Sequence, residues 1–331
     1  MPAGARTASL AVRVESWPIA GTFTISRGAK TQAQVLVAEL SDGRHRGRGE
    51  CVPYARYGES VEGVAAAIEA LRGELAGGLD RDRLQQVMPA GAARNALDCA
   101  LWDLDAKRTG RRAHELAGLP APQPMVTAYT ISLATAEEMA RAAKSAARPL
   151  LKVKLGGPGD PERIKAVRQA APRAELIVDA NEAWQPGELA ANLTACAEAG
   201  VTLVEQPLPA HDDSALANAL RPIPVCADES VHDRASLAAL VGKYDAVNIK
   251  LDKAGGLTEA LALAGQAEQL GFGLMIGCMV STSLAIAPAL LLAQRARVVD
   301  LDGPLLLAKD RQEGLRYHGS LVHPAAPELW G

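Results

Sequence analysis

The sequence predicts a (β/α)8-type barrel preceded by a small α+β unit. Three observations predict it. Beyond about residue 122, short apolar strands recur, each followed by an Ala/Leu-rich helical stretch, with starts roughly 20 to 28 residues apart, about one βα unit each. Eight such units point to a parallel barrel rather than an open sheet, and no strand is followed by GxGxxG. Charged residues stand where the strands end, which is where this barrel type carries its active groups.

The length allows this architecture. A chain of 331 residues, 48% hydrophobic, can build one large barrel or two ordinary domains. Aromatics are only 3%, so the core must be Leu, Val, Ile and Ala. The net charge of −3 implies no field for nucleic acid or anionic lipid. Cys51, Cys99, Cys196, Cys226 and Cys278 are dispersed, with no CxxC pair, as expected of reduced thiols; the six histidines do not cluster with them, which argues against zinc. MPAGARTASLAVRV lacks an apolar signal core, and Leu284–Ala293 is too short to span a bilayer. The expectation is a soluble, cytoplasmic protein with no nucleic-acid or membrane partner.

In the first part, Ala8–Val14 and Thr31–Leu40 alternate apolar and polar residues as strands do. Ser41-Asp42-Gly43 is a turn, and Arg44–Glu50 returns as a third strand. Val61–Ala76 reads as a helix. Asn95–Lys107 reads as another, with Ala96, Ala100, Leu101 and Leu104 on its apolar face. Gly118, Pro120, Pro122 and Pro124 break the chain and mark a boundary, giving units 1–121 and 122–304 and a tail 305–331. The barrel strands are Val126–Ile131, Leu150–Leu155, Leu176–Ala180, Thr202–Glu205, Val225–Asp228, Ala246–Leu251, Phe272–Ile276 and Val298–Asp302.

Asp179, Glu205 and Asp228 end three consecutive strands. Neighbouring strands lie about 4.8 Å apart, so carboxylates at one level would repel or take up protons unless a cation joins them. All-oxygen ligation with room for substrate suits Mg2+, with Mn2+ as a substitute. The plainer alternative is carboxylates that cap the following helices, as expected of Asp80 and Asp160. Lys152 and Lys154 point to one side of their strand, and like charge with partial desolvation would lower a lysine pKa toward that of a usable base. Lys250 ends strand six, opposite strand two in an eight-stranded barrel. The two lysines would face a substrate from opposite sides, as a two-base racemisation needs. The plainer alternative is solvated lysines, as expected of Lys253.

The series KVKLG, VDANEAW, VEQPLP, ADES and NIKLDKAGGLTEA resembles the muconate-lactonising branch of the enolase superfamily. Asp300-Leu301-Asp302-Gly303 resembles the DxD signature of dipeptide epimerases. PYARYGES (Pro53–Ser60) and AGAARNALDCALWDLDAK (Ala90–Lys107) are similar to segments of bacterial L-Ala-D/L-Glu epimerases. The resemblance runs nearly the whole chain.

It implies a (β/α)7β modified TIM barrel under an N-terminal α+β capping domain, with the C-terminal tail packed back on the cap. It also implies one Mg2+ per subunit on Asp179, Glu205 and Asp228, with Lys154 and Lys250 as acid/base pair. Lys152 would support the carboxylate of a small dipeptide, and Asp300 and Asp302 would grip its ammonium. Arg27 stands where the family reads the substrate side chain, and an arginine there suits Glu or Asp. Thr130 is expected to line the pocket, and Asn181 and Glu229 to orient the metal ligands. Multimers are common in the family, so a homo-oligomer is expected.

The implied reaction is epimerisation of the C-terminal residue through an ene-diolate, in murein peptide recycling. The cap loops around Arg27 and Tyr54–Tyr57 would close over it. Cycloisomerisation or o-succinylbenzoate synthesis in the same branch, a Schiff-base aldolase and a non-catalytic barrel are the alternatives. Only a dipeptide supplies an ammonium for Asp300 and Asp302.

Overall fold

The computed structural model describes residues 8–331; the first seven residues of the expected cap lie outside the described residues. The alternating segments at the start pair as an antiparallel sheet of β1 (Ser9–Ile25), β2 (Gly28–Ser41) and β3 (Arg46–Cys51). β1 runs further than the alternation of Ala8–Val14 indicates and shifts register between Pro18 and Phe23. Ser26 and Arg27 form its hairpin tip. The turn after β2 is held by Asp42, whose carboxylate accepts from the Arg44 and His45 N–H groups.

The stretch expected as one helix over Val61–Ala76 is two, Val61–Ala70 and Arg72–Ala76, because Leu71 leaves helical geometry. A further helix, Arg81–Val87, went unread although Asp80 caps it through the Arg83 N–H.

The helix Ala92–Thr109 has two working faces. Ala92, Ala96, Ala100 and Leu104 join the core beneath the cap sheet. Cys99, Trp102 and Ala106 join the barrel core. β3 accommodates it with glycine: a Cβ on Gly47 would meet the Ala100 carbonyl at 2.2 Å, and one on Gly49 the Ala96 carbonyl at 2.1 Å.

The short pair β4 (Met125–Val126) does not begin the barrel. It joins β13 (Tyr317–His318) and β14 (Leu321–Val322) in a small antiparallel sheet. The expected first strand over Val126–Ile131 is thus divided, and its barrel part is β5 (Tyr129–Ile131). The other barrel strands are β6 (Leu150–Lys154), β7 (Glu175–Asp179), β8 (Val201–Glu205), β9 (Val225–Ala227), β10 (Ala246–Ile249), β11 (Gly273–Gly277) and β12 (Val298–Asp300). They lie in sequence order, parallel, and the Ala128 N–H reaches the Val299 carbonyl at 2.8 Å to bring the ends together. Not every crossover is an α-helix. After β8 and β9 the chain makes only 3-10 turns, Ser214–Asn218 and Arg234–Leu240. Pro207, Pro209, Pro222 and Pro224, which offer no N–H, bracket the first.

Side-chain alternation sorts the barrel interior into layers. Ala128, Leu150, Ile177, Leu203, Cys226, Ala246, Met275 and Val298 form a closed apolar cluster. Two residues further along each strand come Thr130, Lys152, Asp179, Glu205, Asp228, Asn248, Gly277 and Asp300. An apolar floor therefore supports a polar layer at the C-terminal mouth.

The contact of Gly49 with the long helix is testable. Gly49→Ala should lower the urea midpoint by the equivalent of roughly 1–3 kcal/mol or more, the usual range for overpacking. Gly73→Ala, with nothing within 4 Å of the added carbon, should leave it unchanged or raise it. A Gly49→Ala protein as stable as its parent would show that helix and sheet separate at little cost.

Candidate active site

The polar layer brings Asp179, Glu205 and Asp228 together: one oxygen from each lies within 4.8 Å of the others, and all three residues are buried. Register explains this, since Asp179 pairs with Glu205 across β7 and β8 and with Lys154 across β6 and β7. Four ammoniums answer the charge. Lys152 Nζ lies 2.6 Å from Glu205 Oε2, 2.7 Å from Asp300 Oδ2 and 3.2 Å from Asp179 Oδ2. Lys154 Nζ lies 2.6 Å from Asp179 Oδ2, and Lys250 Nζ 2.6 Å from Asp228 Oδ2. Lys253 Nζ lies 2.5 Å from Asp228 Oδ1 and also donates to the Asp228 and Asn248 carbonyls.

Charge and burial compete throughout. Burial pushes Asp179 up, but Lys154 and Lys152 outweigh it and hold the carboxyl well below its usual range. Asp228 is likewise held far down by Lys250 and Lys253 against burial. Glu205 goes the other way, to about 8, because burial and the Asp179 charge exceed the pull of Lys152. Burial lowers Lys152 and Lys250, yet the surrounding carboxylates more than reverse this and raise both. The expectation that like charge in the Lys152 and Lys154 pair would lower a lysine thus does not hold for Lys152 while carboxylates surround it. For Lys253 burial wins, and its pKa is lowered.

The residues present fit a hard divalent cation. The donor set is all oxygen, and Glu205 Oε2 is buried without an aligned hydrogen bond despite its nearness to Lys152. Supporting groups fix the ligands. Asn248 Nδ2 donates to Glu205 Oε1 at 2.7 Å, the Asn181 N–H to Asp179 Oδ1 at 2.9 Å, and Gln206 Oε1 accepts from the Asp228 N–H at 2.9 Å. Gly277 makes room for Asn248, since a Cβ there would meet its side chain at 2.6 Å.

A cavity of about 940 Å3 lies over this layer, lined from both the cap and the barrel. Arg27, Thr130, Lys152, Lys154, Asp228, Lys250, Asp300 and Asp302 all line it, as do Cys278 and Met279. The Thr130 N–H donates to Asp302 Oδ2 at 2.7 Å, while burial and the Asp300 charge push the Asp302 carboxyl up to about 7. Arg27 crosses from the cap to reach Glu229 Oε1 at 2.7 Å, the Asn181 carbonyl at 2.9 Å, Glu182 Oε2 at 3.2 Å and the Tyr54 hydroxyl at 3.3 Å. Glu229 therefore holds Arg27. Arg56 packs on the barrel through a two-bond pair with Glu182, at 2.6 and 2.7 Å.

Sequence reasoning missed three groups. Lys253, read as solvated, is buried on Asp228. Asn248 stands two residues before Lys250, and the alternation that found the lysine also points to it. Gln206 follows Glu205 with φ +35, a left-handed residue that nothing in its type announces. Asp160 is a correction as well. It accepts from Gly156, Gly157 and the Trp184 indole, and so ties down the loop after β6 instead of capping a helix. Asp252 is buried, accepts from the Val52 N–H, and is pushed up to about 7 chiefly by burial.

Fold and site together define a capped-barrel enzyme with a lysine-flanked acidic centre. The chain belongs to the mandelate racemase/muconate lactonizing enzyme family: residues 7–118 match its N-terminal domain and residues 134–326 the enolase C-terminal domain-like family. It is 50% identical over 312 residues to the L-Ala-D/L-Glu epimerase of Escherichia coli (strain K12), covering 93% of this chain and 97% of the relative. It is 45% identical over 300 residues to the N-acetyl-D-glutamate racemase of Pseudoalteromonas sp, covering 90% and 95%. A crystal structure of an enolase family member from Agrobacterium tumefaciens with homology to dipeptide epimerases, holding sodium and L-Ala-L-Glu, superimposes with a TM-score of 0.96 at 56% identity over 98% of this chain and 100% of that one. Among the described residues, no helix is long and apolar enough to cross a membrane.

Lys253 offers a test without substrate. Lys253→Met removes one partner of a buried ion pair and should cost roughly 3–5 kcal/mol, seen as a lower urea midpoint in EDTA. An unchanged midpoint would mean that Asp228 does not depend on it.

Proposed function

We propose that this chain epimerises the C-terminal residue of a dipeptide of the L-Ala-D/L-Glu type by moving its α-proton between Lys154 and Lys250. One observation carries the reading. Lys154 ends β6 and Lys250 follows β10, four places apart in an eight-strand barrel, and each ammonium rests on a carboxylate of the same triad. A substrate carbon above that triad meets the two lysines from opposite faces. Either lysine can then take the proton while the other returns one.

Asp179, Glu205 and Asp228 would hold one Mg2+ per subunit, with Mn2+ as a substitute. When bound, the ion supplies positive charge against the second negative charge that proton removal places on the substrate carboxylate. Lys152 adds a fixed cation beside that carboxylate. Asp300 and Asp302 bind the dipeptide ammonium, which gives the buried Asp302 a counter-charge that favours its ionised form. Thr130 holds Asp302 in place through its backbone N–H. Arg27 reads the side chain of the reacting residue. Tyr54 and Tyr57, with ring centres 5.4 Å apart, line the cap side and exclude water. Cycloisomerisation and o-succinylbenzoate synthesis act on substrates without an ammonium and would leave the two aspartates unanswered. A cytoplasmic place in murein peptide recycling is part of the same proposal.

The decisive measurement incubates the protein with Mg2+ and L-Ala-D/L-Xaa dipeptides in D2O and follows deuterium entering the C-terminal residue by mass. We expect one deuterium per turnover, and no epimerisation by Lys154→Ala or Lys250→Ala. No exchange on any dipeptide would remove the epimerase reading, and full activity in either variant would remove that lysine from proton transfer. Arg27→Met should lower kcat/KM for acidic dipeptides roughly ten- to hundredfold, the worth of a charged hydrogen bond, and spare apolar ones. Equal losses on both would detach Arg27 from side-chain selection.

A further inference from the structure

The two proposed bases are held by different parts of the molecule. Lys154 is the last residue of β6, in ladder register with Asp179, so the barrel itself fixes its backbone. Lys250 lies one residue beyond β10, where the ladder with β11 has ended at Ile249. It is the N-cap of a four-residue helix, Leu251–Ala254. A single turn is not stable by itself.

The cap supplies what the turn lacks. Arg94, on the helix Ala92–Thr109, donates from one terminal nitrogen to the Ala254 carbonyl at 2.8 Å and from Nε to the Gly255 carbonyl at 3.1 Å. Those carbonyls stand at the C-terminal end of the turn, where acceptors are left over and a cation is favoured. Asn95, next on the same helix, donates to Asp252 Oδ1 at 2.8 Å, and Asp98 accepts from the Thr258 N–H at 2.9 Å. The approach is close by construction. Gly255 and Gly256 have φ of +81 and +110, and a Cβ on them would meet Arg94 at 2.5 Å and Asp98 at 2.4 Å. Arg94 is buried, and it also donates to the Met88 carbonyl of the cap at 3.1 Å.

We infer that Arg94 is a positioning residue for Lys250: it lets the cap domain set the backbone that carries one base, while the barrel ladder sets the backbone that carries Lys154. The inference rests on the two-lysine reading above, and it predicts an asymmetry that a general loss of folding would not produce. A misplaced Lys250 should impair proton exchange on one face of the substrate only.

The test measures initial deuterium uptake in D2O with Mg2+, separately from L-Ala-L-Glu and L-Ala-D-Glu. Lys154→Ala and Lys250→Ala set the reference, each expected to lose exchange from one epimer and keep it from the other. Arg94→Met should slow the epimer that Lys250→Ala loses by about tenfold or more and leave the other within about twofold. Arg94→Lys should recover part of the loss, since it returns a cation to the end of the turn. An equal fall for both epimers, or none, overturns the role of Arg94 while the lysine reading stands. Lysine variants that do not separate the epimers overturn the two-base reading and this inference with it. If Arg94→Met does not fold by circular dichroism, the same ratio is read on Arg94→Lys, which cannot reproduce both carbonyl bonds.

Discussion

Three carboxylates held within 4.8 Å of one another in a buried layer are the constraint on which the rest of this site depends. Two unit charges 4 Å apart repel by about 4 kcal/mol at the effective dielectric typical of proteins. The layer persists because ammoniums answer it. The carboxyls of Asp179, Glu205, Asp228 and Asp300 meet the ammoniums of Lys152, Lys154, Lys250 and Lys253, and Glu205, pushed up to about 8, sheds part of its charge as well. Asp302, a fifth carboxyl close by, is driven toward its neutral form, with its pKa at about 7. The apolar floor keeps water from the lower side of the layer, which weakens the screening of these charges.

The same constraint accounts for the strained backbone. Asn181, Glu182 and Gln206 carry φ of +44, +66 and +35, just past the ends of β7 and β8. Conformations of this kind cost of order 1–3 kcal/mol each for a non-glycine residue. Here they are tied in by bonds to the centre. The Asn181 N–H binds Asp179, the Glu182 N–H binds the Gln206 carbonyl at 2.9 Å, and the Gln206 side chain spans from the Asp228 N–H to Leu208, Ser230 and Tyr244. The strain turns the chain sharply after each ligand, so that the next groups serve the cap side. Glu182 is the clearest case, since it receives both Arg56 and Arg27.

The legible part of this molecule is the part with a period. Alternation along the strand placed Lys152 with Lys154 on one side, and the recurrence of βα units marked the strand ends. Lys253 was misread because the period changes there. Past Lys250 the chain is helical, so a residue three positions on shares the face of Lys250 and reaches the same carboxylate. Asn248 obeys the strand period but is uncharged, and nothing in its type singles it out. Arg94 and Asp252 lie 158 positions apart in number, on different units, and only the docking of cap on barrel shows that they support one turn. β4 failed for a related reason: its partners, β13 and β14, come from the far end of the chain.

Charge also limits how sharply the site can select. Arg27 already meets Glu229 and Glu182, so its positive charge is compensated before any substrate arrives. On the proposed reading, an acidic side chain gains hydrogen bonds from a guanidinium fixed in place by its own partners, and loses little entropy in doing so. An apolar side chain meets a paired arginine, not a bare buried charge, and is not penalised by an unpaired group. Selection is the difference between these two affinities. Acidic preference in this chain should therefore be graded, whereas the demand for an ammonium near Asp300 and Asp302, whose charges crowd each other under burial, should be the stricter filter.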